Sequence, residues 1–410
     1  MVHPDPEHRV LMRIDPEDVT LCLVDDPAPA GRPAADAPAA WSAPDGARPT
    51  AVPIVQTSLF TFPTFAALIE GLAAEHRHTV YSRGQNPTVE VLERKLAALE
   101  RGEACKCFSS GMAAINAVMT GLLRAGDHVL FVNNTYGPTL ELAAHLARFG
   151  VEHDVVLDGA PDAVRAALKP NTSLVWLESP GTMLFRVVDV PGIAALTHEH
   201  GALVCMDNSW STPLLQKPLT LGVDIVVHSC TKYLAGHSDL VAGAVISTAA
   251  RMEDLFYRSF LLNGGVLAPF DAWLLLRGMR TLPARLRQHE TDALTVARFL
   301  DGHPAVRRVH HPALAGALPG GLRGTSGLFS FELAAGDFES VRRVLDALDH
   351  IHLGVSWGGV ESLAISPARP GNETELDGKG IPRGLIRLSV GLEGADVLIA
   401  DLDAALATVR

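Results

Sequence analysis

Apolar residues recur along this chain with two different periods, and the alternation between them predicts the architecture. Short β-branched runs at His128–Val132, Ser173–Leu177, Ala202–Met206, Asp224–Val227 and Gly243–Ser247 read as buried strands separated by helix-sized intervals. Strands spaced that way need crossover connections, so they are expected to form a mainly parallel sheet buried on both faces. Asn86 followed by Pro87 supplies an N-cap and a first-turn proline, after which Val89, Leu92, Leu96 and Leu99 repeat at helical spacing. From about Ala268 the texture changes to long helical patterns, Asp271–Gly278, Glu290–Leu300 and Phe338–Leu348, with scattered strands such as Gly327–Leu333. That part reads as a second, α+β domain.

Ahead of these elements, Pro27–Pro44 is nearly all Ala, Pro, Gly and Asp. Few large apolar side chains are present to offset the entropy of ordering it, so a linker or arm is expected. The resulting division is an N-terminal extension over residues 1–50, a large α/β domain over 51–267 and a smaller domain over 268–410. No internal repeat occurs, and Gly320 and Gly321 read as loop punctuation.

Composition narrows the function. With 48% hydrophobic and 20% charged residues in 410, the chain can bury a large core. A formal net charge of -12 leaves no diffuse positive field for phosphodiester backbones, so nucleic acid is not an expected partner. Anionic small molecules stay within reach of a few placed cations. Met1–Val10 lacks a basic region followed by an apolar run, and no stretch reaches the ~18 apolar residues that span a bilayer; a cytoplasmic protein without a membrane partner is expected. Cys22, Cys105, Cys107, Cys205 and Cys230 are odd in number and show no CxxC spacing, which signals neither a disulfide framework nor a zinc knuckle. His76/His78, His198/His200 and His310/His311 lack the spacing of a helical zinc site, so no metal is expected.

The segment Asp224-Ile225-Val226-Val227-His228-Ser229-Cys230-Thr231-Lys232-Tyr233 carries the strongest chemical signal: a buried strand ending in two hydroxyls and a lysine. Ligands of open α/β sheets sit at that carboxyl edge. A lysine there is partly desolvated, which lowers its pKa from ~10.4 and frees a neutral amine for imine formation. Ser229 and Thr231 can bind a phosphate. Alone, the tetrapeptide reads more readily as an exposed lysine after a strand. Its company changes the weighting. Met206-Asp207-Asn208-Ser209-Trp210 ends another strand with a carboxylate, which can keep a pyridine nitrogen protonated or simply serve as a cap or turn residue. Ser109-Ser110-Gly111-Met112-Ala113-Ala114 leads into an apolar helix, either an anion site made of free amides and hydroxyls or a well-capped core helix. Tyr136-Gly137-Pro138-Thr139 offers a ring to lie on a cofactor, and Tyr81-Ser82-Arg83 a phenol and a guanidinium.

In this order, the fragments resemble the transsulfuration (cysteine and methionine metabolism) family of pyridoxal-phosphate enzymes, from about Val52 to Leu406. The matching segments are YSRGQNPT (81–88), SSGMAA (109–114), TYGPT (135–139), LESPG (177–181), DNSW (207–210), HSCTKYLAGHSD (228–239), SWGGVESL (356–363) and IRLSVGLE (386–393). The resemblance implies the type I, aspartate-aminotransferase-like fold, with an N-terminal arm, a large cofactor domain and a smaller C-terminal domain. It implies pyridoxal 5'-phosphate held by Lys232 as a Schiff base, Asp207 at the pyridine nitrogen and Tyr136 stacked on the ring. Ser110, Gly111, Met112, Ser229 and Thr231 would hold the phosphate, joined by Tyr81 and Arg83 from a neighbouring subunit. The family is usually a homotetramer built from two dimers. Arg387, with Ser356 and Trp357 nearby, would bind the carboxylate of an amino-acid substrate. Lys232 would take the α-proton, with Tyr136 or Tyr81 assisting amine exchange.

Within the family, Trp357, ESPG without a following Asn-Pro, DNSW and GHSD resemble cystathionine β-lyases, since γ-specific members usually carry leucine after the serine. YSRGQNPT is closer to the γ-synthase and γ-lyase form, and Val355 stands where bacterial β-lyases commonly have tyrosine. Pro138 departs from methionine γ-lyases, which carry a reactive cysteine there. The expected reaction is β-elimination from cystathionine or a related cysteine conjugate, with γ-elimination or γ-replacement as the alternative. Ser229-Cys230-Thr231-Lys232 also fits the SxxK nucleophile motif of acyl-serine enzymes, but no KTG occurs and Ser238-Asp239 is followed by Leu240. A non-catalytic scaffold could dispense with the lysine, aspartate, tyrosine and arginine that are all present here.

Overall fold

The computed structural model describes residues 12–25, 49–315, 318 and 321–409. The expected arm at Pro27–Pro44, the start Met1–Val10 and Gly320 lie outside them. Two sheets organise the chain. The first contains β1 (Ala104–Phe108), β2 (His128–Val132), β3 (Glu152–Val156), β4 (Thr172–Glu178), β5 (Leu203–Asp207), β6 (Ile225–Ser229) and β7 (Gly243–Ser247) in the order β1-β7-β6-β5-β4-β2-β3. β7 runs antiparallel to both neighbours, and the remaining pairings are parallel.

Side chains in these strands alternate between two cores. Leu130, Val132, Val175, Leu177, Val204, Met206 and Val226 belong to the core shared with the helices Pro87–Glu100 and Val190–His200, whereas Val129, Phe131, Trp176, Cys205 and Val227 belong to the core shared with the helix Gly111–Leu122. Both faces are therefore covered, which is why the strand sequences lack polar alternation. At the heads of the flanking helices Asn86 and Ser110 act as N-caps, accepting from the amides of Thr88 and Ala113.

The second sheet contains β8 (Val306–His310), β9 (Leu328–Leu333), β10 (His352–Leu353), β11 (Leu363–Ile365) and β12 (Leu385–Ser389) in the order β10-β11-β12-β9-β8. The helices Leu282–Asp301 and Ala395–Leu406 close its core. Although the sequence texture changes at Ala268, the helix Pro269–Arg280 packs on Pro87–Glu100 and puts Ala272, Leu275, Leu276 and Met279 into the core under the large sheet. Trp210, just beyond β5, donates its indole N–H to the Leu328 carbonyl at 2.9 Å, and Trp357 packs against both cores. The carboxyl edge of the large sheet thus faces the segment leading out of β10. No described helix is long and apolar enough to cross a membrane.

Candidate active site

Parallel register sets Glu178 opposite Asp207 at the ends of β4 and β5, with Ser229 ending the adjacent β6. Oδ1 of Asp207 accepts from the Ser209 amide at 2.9 Å and the Ser209 hydroxyl at 2.6 Å. The same hydroxyl oxygen accepts from the Ser229 amide at 2.6 Å, linking β6 to the carboxylate through one side chain. Burial pushes the Asp207 carboxyl up, opposed by the Ser209 bonds and by the charges of His228 and Lys232.

Lys232 follows in the turn after β6. Its Nζ donates to Ser356 Oγ at 2.7 Å and lies 5.5 Å from the centre of the Trp357 ring. Burial, then the Arg387 charge, lowers the amine to about 8, with Asp207 acting the other way. A substantial neutral fraction therefore exists near physiological pH, as a nucleophile or base requires. Ser356 is held at φ 78°, a left-handed conformation unusual for a residue with a Cβ and typical of functional sites. A Cβ on the nearby Gly358 would lie 2.8 Å from the Tyr233 amide nitrogen, so only glycine lets this loop approach the lysine turn so closely.

Arg387, on β12, donates from Nη2 to the Ser356 carbonyl at 3.2 Å. Burial lowers it to about 10, opposed by Tyr136, so it remains a cation at neutral pH. Tyr136 heads the helix Gly137–Leu146 with a half-exposed ring, and its amide donates to Glu178 Oε1 at 2.7 Å. Burial pushes its phenol up, with Arg387 opposing.

The start of the helix Gly111–Leu122 abuts the end of β6. Ser110 Oγ accepts from the Ala113 amide at 3.0 Å, and a Cβ on Gly111 would fall 2.9 Å from Ser229 Cβ. Thr231 Oγ1 bridges the Ala242 amide and carbonyl, at 3.0 and 3.2 Å. The Gly111 and Met112 amides thus begin a helix beside two hydroxyls, an arrangement suited to a phosphate dianion. Its distance along the edge from Asp207 and Lys232 is bridged by Ser229 and Ser209. A helix start and two hydroxyls suited to a phosphate at one end, the Asp207 carboxylate at the other, a lowered amine and an accessible aromatic ring form a donor set that fits a phosphorylated pyridine aldehyde.

Tyr81 and Arg83 lie in a loop bridged to Leu59, with the guanidinium 5.7 Å from the tyrosine ring. Among the described residues they make no hydrogen bond to the Lys232 group. No cluster of potential metal ligands occurs among the described residues. Glu178 escaped sequence reasoning although it lies within LESPG, as did Glu100, Asn208 and His228; a carboxylate ending an apolar strand was the available signal for Glu178.

The family model for Cys/Met metabolism PLP-dependent enzymes matches residues 40–407. The chain is 41% identical over 369 residues to L-methionine gamma-lyase of Fusobacterium nucleatum subsp. polymorphum, covering 87% of this chain and 93% of the relative. It is 38% identical to cystathionine gamma-lyase of Bacillus subtilis over 369 residues, 87% and 94% of the two chains. A crystal structure of cystathionine gamma synthase from Xanthomonas oryzae pv. oryzae, in complex with aminoacrylate and cysteine, superimposes with a TM-score of 0.83 at 35% identity, covering 95% and 97% of the two chains.

Proposed function

This chain belongs to the Cys/Met metabolism PLP-dependent enzyme family, and we propose that it catalyses α,β-elimination of cystathionine or a related cysteine S-conjugate to a thiol, pyruvate and ammonia. Pyridoxal 5'-phosphate, when bound, supplies the electron sink for the pair left behind as the α-proton departs. Lys232 is the amine that would carry the cofactor, and its lowered pKa suits it to hold the α-proton as the base. Asp207 would hold the positive charge of the pyridine nitrogen, and Tyr136 would cover the ring. Ser110, Gly111, Met112, Ser229 and Thr231 bind the phosphate. Arg387 clamps the substrate carboxylate beside Ser356 and Trp357. Tyr81 and Arg83 complete the phosphate site from a second copy in a tetramer of two dimers, with Tyr81 or Tyr136 assisting amine exchange.

The observation that carries the β-specific reading is the position of the Lys232 amine between the Ser356 hydroxyl and the Trp357 ring. β-Elimination asks this base for one proton, at Cα. γ-Chemistry also requires proton movement at Cβ, and the Trp357 ring beside the amine is the bulky group that would limit that second reach. γ-Elimination or γ-replacement is the second reading, favoured by the activities of the related gamma-lyases. Incubation of the holoenzyme with cystathionine, and separately with an O-acylated homoserine plus cysteine, separates them. Pyruvate from cystathionine supports β-elimination; 2-oxobutyrate or a new thioether overturns it.

A further inference from the structure

Below the carboxyl edge, outside the groups assigned to cofactor and substrate, a single carboxylate oxygen joins two strands. Glu100 ends the helix Pro87–Glu100. Its Oε1 accepts from Asn208 Nδ2 at 2.8 Å and from His228 Nε2 at 2.6 Å. Asn208 directly follows Asp207, and His228 directly precedes Ser229. Glu100 and His228 are fully buried and Asn208 is 1% exposed. Asn208 also donates to the Thr212 and Gln216 carbonyls, at 3.3 and 3.1 Å, which fixes its amide.

Such a carboxylate is costly to bury. Oε2 of Glu100 has no hydrogen-bond partner among the described residues, and an unmet acceptor in the interior costs free energy that an apolar side chain would avoid. The nearby cations do not make Glu100 a simple ion-pair partner of theirs: Lys217 pairs with Asp18 at 2.9 Å and Arg101 with Asp18 at 3.0 Å. What distinguishes Oε1 is that both its donors flank residues at the sheet edge.

We propose that Glu100 is a positioning residue: through Oε1 it fixes the spacing between the ends of β5 and β6, and with it the separation of Asp207 from the Ser229–Lys232 turn. The inference rests on the assignment of Asp207 and Lys232 to the cofactor. Two rigid strand ends then act on opposite parts of one flat molecule, and a loosened β5–β6 edge lets the ring tilt. An effect on cofactor orientation follows even where the fold survives.

The test compares Glu100→Ala, Glu100→Gln, Asn208→Ala and Asp207→Asn as full-length proteins. Readouts are the dissociation constant for pyridoxal phosphate, the visible circular dichroism of the saturated cofactor band, and kcat separately from KM. Glu100→Ala is expected to weaken cofactor binding about tenfold, to reduce the visible dichroism and to lower kcat with little change in KM. Glu100→Gln should restore all three, because its amide oxygen can accept both bonds. Asn208→Ala removes one arm together with its bonds to the Thr212 and Gln216 carbonyls and should move each readout in the same direction; where Glu100→Ala does not fold, unchanged readouts in Asn208→Ala overturn the proposal. A folded Glu100→Ala or Asn208→Ala protein with unchanged affinity and dichroism overturns the proposal, as does a Glu100→Gln protein as impaired as Glu100→Ala. An unaltered cofactor band in Asp207→Asn would instead overturn the assignment of Asp207.

Discussion

Glu178 accepts the backbone amide of Tyr136 at 2.7 Å while standing opposite Asp207 in the β4–β5 register. One carboxyl group therefore supports the residue proposed to cover the ring and neighbours the one proposed to meet its nitrogen. Burial, then the Asp207 charge, pushes Glu178 well above the ordinary carboxylate range, against the bonds from the Tyr136 and Thr182 amides. The folded protein thus retains a proton that the unfolded chain releases above the usual glutamate pKa. Stability contributed at this site is greatest at low pH and falls as pH rises from about 4.5 toward the raised value. Glu178→Gln keeps an acceptor without the charge, so it should be tolerated at pH 5 and gain on the wild type as pH rises. Glu178→Ala leaves the Tyr136 amide unpaired, at a cost of about 1–3 kcal/mol. Urea unfolding of the three proteins between pH 5 and 8 measures both effects.

The amine of Lys232, lowered to about 8 by burial and by Arg387, should react in the cofactor-free protein far below the pH at which surface lysines do. Acylation of Lys232 followed by peptide mass spectrometry is expected to rise with pH to a midpoint near 8. Because the Arg387 charge disfavours a second cation, Arg387→Met should move that midpoint upward. A midpoint near 10.5, the value of an unperturbed lysine, would contradict the buried setting of the amine.

How much of this was legible in the sequence depended on burial. β2, β4, β5, β6 and β7 stood out because both their faces are covered, and the ends carrying Asp207 and Lys232 came with them. β3 was missed because its Glu152-His153-Asp154 start lies on the exposed edge of the sheet. β1 was hidden by Lys106, buried through an ion pair with Glu93 at 2.9 Å. The helix read as Glu290–Leu300 begins at Leu282, because buried Arg285 and His289 interrupt the apolar stripe that announces a helix. Partners set by tertiary contact left no local mark: Glu100 and His228 are 128 residues apart.

Gly243 gives a steric prediction at the proposed phosphate end. A Cβ there would lie 2.2 Å from the Ser110 carbonyl oxygen and 2.9 Å from Gly111 Cα, both backbone atoms that cannot rotate away. Gly243→Ala must therefore displace the start of the helix Gly111–Leu122 from Ser229, or shift β7. Overpacking of this kind costs about 1–3 kcal/mol. The expected result is a folded but less stable protein whose affinity for pyridoxal phosphate drops about tenfold or more, measured by thermal melting and by titration of the visible band. Retained affinity would place the phosphate away from this helix.

Arg387 separates charge from geometry. It is half-buried, cationic at neutral pH and tied to the Ser356 carbonyl at 3.2 Å, so one edge of its guanidinium is spent on holding the loop that orients the Lys232 hydroxyl partner. The other donors remain for a planar carboxylate, which a lysine meets only as a point charge. Arg387→Lys is expected to lose about 100-fold in kcat/KM, equivalent to about 3 kcal/mol, with most of the loss in KM. Arg387→Met removes the cation and should lose more. A decarboxylated substrate analogue should show a much smaller loss in either variant, because it offers no carboxylate to clamp and only the effects on Ser356 and Lys232 remain. Equal losses on both compounds would mean that Arg387 acts only through Ser356, holding the lysine turn rather than the substrate.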